Sequence, residues 1–127
     1  TEFSAGADLY ACLEESVTIN PGDTVLIHTG IAVEIPEGFG GFVFARSGLA
    51  SKKGLAPANK VGVIDSDYRG EIMVPIHNHG RDPQTLEQGE RISQISIIPF
   101  IKADFCECDE LSETARGVGG FGSTGKK

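Results

Sequence analysis

Glu90-Arg91-Ile92-Ser93-Gln94-Ile95-Ser96-Ile97-Ile98-Pro99-Phe100-Ile101 is the stretch whose reading decides the fold. Its even positions include Ile92, Ile98 and Phe100 and its odd positions Ile95, Ile97 and Ile101, so an extended chain here is apolar on both faces. A half-exposed strand keeps one polar face, whereas one that is apolar on both must be covered on both. In a small domain the second cover can be another subunit, so the segment predicts a β-protein that oligomerises.

Working outward, the turn signals Asn20-Pro21-Gly22-Asp23, Pro36-Glu37-Gly38 and Asn78-His79-Gly80-Arg81-Asp82-Pro83 recur at strand-length intervals. Between them Thr24 to Ile35, Gly41 to Ala45, Lys60 to Ile64, Glu71 to His77, Glu90 to Ile101 and Ala103 to Leu111 are rich in Val, Ile, Phe and Thr and read as strands. Only Ser47 to Lys52 reads as helix, because no apolar stripe at helical spacing persists elsewhere. A chain of 127 residues is one domain, and this rhythm predicts an all-β sandwich or barrel with one short helix.

Eleven Lys and Arg against eighteen Asp and Glu give a net charge of −7, the wrong sign for holding a nucleic-acid backbone. Positive charge is local: Thr1 to Ala45 carries seven acids and no Lys or Arg, while Arg46, Lys52, Lys53, Lys60 and Arg69 cluster against Asp65 and Asp67. That pattern suits a small anion bound at one place. No apolar run approaches the roughly 20 residues of a membrane span, and no charged-then-apolar leader precedes the first strand-like segment. Three cysteines, an odd set with Cys106-Glu107-Cys108 in place of Cys-x-x-Cys, fit a reducing compartment, so the expected location is cytoplasmic. On a strand Cys106 and Cys108 share a face and read as small buried apolar residues. His77 and His79 also share a face, but with no third ligand near in sequence they read as strand-end polar residues. Gly120 to Lys126 mimics a phosphate-loop pattern, yet Lys127 follows where Ser or Thr is required, so the match is accidental.

Gly62-Val63-Ile64-Asp65-Ser66-Asp67-Tyr68-Arg69-Gly70-Glu71-Ile72 reads as strand, polar turn and returning strand, a hairpin with Asp65 and Tyr68 near its bend. Its backbone donors and acceptors could read a base edge while the ring packs on a sugar. Four further segments stand in order around it: Ala5-Gly6-Ala7-Asp8-Leu9-Tyr10-Ala11; Arg46-Ser47-Gly48-Leu49-Ala50; Gly89-Glu90-Arg91-Ile92-Ser93-Gln94; and Arg116-Gly117-Val118-Gly119-Gly120-Phe121-Gly122-Ser123. Together the five resemble the motif set of the trimeric dUTP pyrophosphatases (dUTPases), over almost the whole chain.

The resemblance implies a jelly-roll-like β-barrel, a homotrimer with sites at its subunit interfaces, and Mg2+-dependent hydrolysis of dUTP to dUMP and pyrophosphate. That reaction keeps uracil out of DNA and supplies dUMP for thymidylate. By the same resemblance Asp65 is the general base that orients and deprotonates the water attacking the α-phosphorus. A carboxylate is a weak base at neutral pH, so its effect is expected chiefly from aligning that water. Tyr68 would pack on deoxyribose where a ribose 2′-hydroxyl needs room, and Asn59 with backbone groups of Val63, Ile64 and Met73 would read uracil. Arg46, Ser47, Gly48 and Gln94 match the phosphate-binding set, and Asp8 the residue that reaches the metal through water. Arg116 would meet the γ-phosphate and Phe121 stack over uracil, with Gly122 beside it. Residues 1–115 are thus expected to form the barrel core and 116–127 a mobile glycine-rich lid.

The family usually carries an N-terminal strand before the Ala-Gly-Ala-Asp motif, whereas only Thr1 to Ser4 precede it here. A missing first strand would expose a sheet edge and weaken the trimer. Two rival readings share the scaffold. dCTP deaminases and the bifunctional deaminase–dUTPases lack the Asp-Tyr-Arg-Gly run seen at Asp67 to Gly70. A non-catalytic nucleotide sensor would have no use for the water-activating Asp65.

Overall fold

The computed structural model describes residues 1–121. Its strands are β1 (Ala7–Tyr10), β2 (Val17–Ile19), β3 (Thr24–His28), β4 (Phe39–Ala45), β5 (Leu55–Pro57), β6 (Gly62–Ile64), β7 (Met73–Asn78), β8 (Gln84–Leu86) and β9 (Arg91–Pro99), with α1 (Ser47–Lys53) between β4 and β5. They form antiparallel sheets in the orders β1-β9-β4-β6, β3-β7-β5 and β2-β8. This is the jelly-roll-like, all-β architecture with a single short helix that the sequence predicts.

Every sheet contributes to one core, which joins Leu9, Ile19, Ile27, Val43, Leu55, Val74, Ile76, Leu86, Ile92 and Ile95 with Leu49 from the helix. β9 lies between β1 and β4, the central position that its apolar faces demand. Leu9 pairs with Ser93 and Tyr10 with Arg91, which leaves Ile92 as a bulge with no partner on β1. Ile92 and Ser93 are both fully buried there. Farther along, Ile97, Ile98, Phe100 and Ile101 stay 48%, 39%, 48% and 94% exposed, so this end of the strand lacks its second cover within one chain.

Helix α1 starts at Arg46 in extended conformation and ends at Gly54, whose φ of 68° closes a left-handed C-terminal turn. A Cβ at Gly54 would stand 2.8 Å from the Gly80 nitrogen, so glycine is required there for space as well as conformation. Lys52 and Lys53 occupy the last turn, where the helix dipole favours cations.

Three strand expectations are corrected. Thr24 to Ile35 is strand only to His28, because Gly30 at φ 71° turns the chain out of the sheet. Ala103 to Leu111 forms no strand: Phe105 and Leu111 are 96% and 87% exposed, with no sheet edge beside them to complete a ladder. Cys106 and Cys108 are accordingly exposed instead of buried. The hairpin over Gly62 to Ile72 is a passage between sheets, since β6 pairs with β4 while β7 pairs with β3 and β5. Its long polar bend does not fit the short turns that close true hairpins. His77 and His79 do end a strand: His77 Nδ1 lies 2.8 Å from Thr24 Oγ1 and the two rings meet edge-on.

Candidate active site

Where the chain passes from β6 to β7, a cleft of about 220 Å³ opens between the sheets. Val63, Ile64, Asp65, Tyr68 and Met73 line it together, with Glu71 among them. The bend is a built turn: the Tyr68 N–H donates to the Asp65 carbonyl at 3.1 Å, and Arg69 Nη1 donates to the Ser66 and Tyr68 carbonyls at 2.7 and 3.0 Å. The Tyr68 hydroxyl donates to the Glu71 carbonyl at 2.9 Å, which lays the ring along the wall. Asn59 is exposed beside Gly62, at the rim and outside the lining.

A second cluster forms on the outward face of the β1-β9-β4 sheet. Asp8 stands opposite Gln94, which stands opposite Phe44, so the three share a face. Arg46, just past the end of β4, donates from Nε to Asp8 Oδ1 at 2.8 Å, and Arg91 Nη1 reaches Asp8 Oδ2 at 3.4 Å. Gln94 Nε2 donates to the Ala45 carbonyl at 3.0 Å. Alongside runs a groove lined by Arg46, Gly48, Lys52, Lys53 and Arg91 against the single carboxylate of Glu90. Ser47 is exposed at its edge. Lys53 Nζ is 3.3 Å from Glu90 Oε1, which leaves the groove net cationic and suited to a polyanion.

These two clusters do not meet. Ile64 sits opposite Gly41, whereas Arg46 follows Ala45, so Asp65 and Arg46 lie beyond opposite ends of a β4 segment roughly 13 Å long. Asp65 lines the cleft and not the groove, and Arg46 the groove and not the cleft. Arg116 and Phe121 join neither. Arg116 Nε donates to the Gly119 carbonyl at 2.8 Å within its own segment, and Phe121 is fully exposed. Gly122 and the phosphate-loop-like Gly120 to Lys126 run beyond the described residues.

Asp8 carries the donor chemistry for a hard cation held through water. Both of its oxygens accept from guanidiniums yet keep a lone pair, and among the described residues no group of three or more His, Cys, Asp and Glu could cage an ion directly. That fits magnesium carried mainly by phosphate oxygens. Two residues were passed over by the sequence reading. Arg91 was visible inside the Gly89 to Gln94 motif, but its bond to Asp8 spans the chain. Glu71 sat at the end of the quoted hairpin with no pattern marking it; its carboxyl is held below the usual value by the hydrogen bond from His28 and by the Gly30 amide.

The family model described as dUTPase matches residues 1–125. Among curated proteins, the chain is 56% identical over 126 residues to the deoxyuridine 5′-triphosphate nucleotidohydrolase of Desulfitobacterium hafniense, covering 98% of this chain and 83% of that one. It is 49% identical over 128 residues to the enzyme of the same name from Acinetobacter baumannii, covering 100% and 85%. Among solved structures it is similar to the dUTPase of Staphylococcus bacteriophage 80alpha with dUPNHPP, at a TM-score of 0.88 and 29% identity, covering 98% and 88%. It is also similar to the dUTPase from Streptococcus mutans, at a TM-score of 0.75 and 36% identity over 83% and 85%.

Proposed function

Because the chain belongs to the dUTPase family and hydrolyses dUTP to dUMP, we propose that Asp65 activates the water and that the site is completed between copies of the chain. The observation that carries this reading is the division of the motif residues into two clusters toward opposite ends of β4. A homotrimer would bring the Asp65 cleft of one subunit to the Arg46 groove of the next and cover the exposed end of β9.

In that arrangement uracil enters the cleft, where backbone groups of Val63, Ile64 and Met73, with Asn59 at the rim, read its edge. Tyr68 closes against the deoxyribose and leaves no room for a 2′-hydroxyl. Arg46, Gln94 and the Ser47 and Gly48 amides of the neighbouring subunit hold the triphosphate oxygens. Asp65 accepts a proton as the water's oxygen bonds to the α-phosphorus, and the bond to the bridging oxygen breaks to release pyrophosphate. Asp8 would hold magnesium through water, and the bound ion neutralises phosphate charge and polarises the phosphorus. Residues 116–127 act as a lid over the 1–115 core, with Arg116 on the γ-phosphate and Phe121 and Gly122 over the base. The role in the cell is to limit uracil in DNA and to supply dUMP, in the cytoplasm. Nucleic acid is not a partner of so acidic a chain, and among the described residues no helix is long and apolar enough to cross a membrane.

The test is pyrophosphate release from dUTP with magnesium, run beside UTP, dTTP and dCTP and repeated with Asp65→Asn. Turnover confined to dUTP that disappears in Asp65→Asn, while the variant still binds a non-hydrolysable dUTP analogue, is the expected result. Equal loss of binding and turnover would make Asp65 a binding residue and overturn its role as base.

A further inference from the structure

Tyr68 does not hold its own position. Its hydroxyl leans on the Glu71 carbonyl, and its ring lies where a Cβ on Gly70 would stand 2.3 Å from Oη. The wall of the cleft is therefore set by the backbone of Gly70 to Ile72, a stretch that precedes β7 and has no strand ladder to fix it.

What fixes it is the turn that leaves β3. The Glu71 carboxylate accepts from His28 Nδ1 at 2.8 Å through one oxygen and from the Gly30 N–H at 2.8 Å through the other. The Ile72 N–H donates to the Ile31 carbonyl at 2.9 Å, and Thr29 Oγ1 donates to the Ile72 carbonyl. Gly30, at φ 71°, takes the conformation that aims its amide at the carboxylate. Among the described residues Glu71 alone lines both the Asp65 cleft and the hollow behind it, where Cys12, Leu13, Glu14 and His28 stand.

We propose that Glu71 is a positioning residue for sugar selection: its carboxylate clamps the Gly70 to Ile72 backbone to the His28 to Ile31 turn and so holds Tyr68 against C2′ of the sugar. The inference rests on the dUTP reading of the same cleft. It assigns deoxyribose preference to the ring together with the clamp behind it, so a change in the His28 to Ile31 turn can alter which nucleotide is accepted. Both carboxylate oxygens of Glu71 are engaged by His28 and Gly30, and Asp65 does not depend on Glu71 for its turn, which Arg69 braces.

The experiment compares kcat and KM for dUTP and UTP in the wild type, Glu71→Ala, Glu71→Gln, Tyr68→Phe and the Glu71→Ala/Tyr68→Phe double variant. Glu71→Ala is expected to lower the dUTP-to-UTP ratio of kcat/KM by about tenfold while kcat for dUTP stays within about twofold. Glu71→Gln, whose amide can still accept from Gly30 and meet His28, should recover most of the ratio. The double variant should discriminate no worse than the poorer single one, because both act through one ring. A ring readout independent of turnover comes from 19F NMR of 3-fluorotyrosine in a Tyr10→Phe background, which leaves Tyr68 as the sole tyrosine of the two. Its resonance should shift in Glu71→Ala and return in Glu71→Gln. An unchanged ratio in folded Glu71→Ala, a parallel loss for both nucleotides, or a resonance that does not respond would overturn the proposal. A wild type that hydrolyses neither nucleotide would overturn the dUTP reading and the proposal with it, whereas a moved resonance with an unmoved ratio would overturn the proposal alone.

Discussion

At the scale of single residues, the cleft depends on atoms that are absent as much as on those present. Gly70→Ala would drive a methyl into the Tyr68 hydroxyl, so the ring must leave its wall. The expected outcome is a destabilisation of about 1–3 kcal/mol in urea unfolding, with a KM for dUTP raised about tenfold. A KM that did not move would show that the ring has no part in holding substrate. Glu71 also gives the protein an acid-sensitive fastening. Its folded pKa lies below the usual 4.5 because His28 and the Gly30 amide hydrogen-bond the carboxylate. Its contribution to stability is therefore complete above that value and is lost as pH falls through the lower, folded one. The difference in melting temperature between wild type and Glu71→Gln should close as pH falls below about 4.5. A gap that widened there would contradict the assignment.

At the scale of elements, α1 stands or falls with the glycine that ends it. Gly54→Ala would place a β-carbon 2.8 Å from the Gly80 nitrogen in a left-handed conformation, at a cost of about 2 kcal/mol in chemical denaturation. Loss of the helix end should weaken triphosphate binding through the groove that Lys52 and Lys53 line while leaving the Asp65 cleft intact. This helix was legible in the sequence at Ser47 to Lys52 because no apolar stripe at helical spacing persists elsewhere, and the structure adds the basic last turn of Lys52 and Lys53 and the closing Gly54. The long strands β4, β7 and β9 were legible from their Val, Ile and Phe content. β2 and β8, three residues each, were not, since so short a strand carries no periodicity and is recognised only by its partner. The false strand at Ala103 to Leu111 shows the converse: strand-like composition with no edge to join remains irregular. The cleft residues could be named from motif order, but the Asp8–Arg46 and Glu71–His28 pairs link positions 38 and 43 residues apart. No local pattern encodes such pairings.

At the scale of the whole molecule, the sheet and the site make the same demand for a neighbour. Ile97 and Ile98 are half-exposed on β9, and the two clusters face different clefts. If sites form between subunits of a ring, Asp65→Asn and Arg46→Ala chains, each inactive alone, should regain activity when co-assembled. At equal mixing about one site in four would pair an intact Asp65 with an intact Arg46, and the activity should approach that fraction of wild type. A mixture that stayed inert after refolding together would place both residues of each site on one chain. The spacing along β4 then has a genetic consequence. An allele that damages both ends of that strand would be dominant, because each defective copy spoils the site on either flank, whereas alleles damaging opposite ends would complement one another in the same cell.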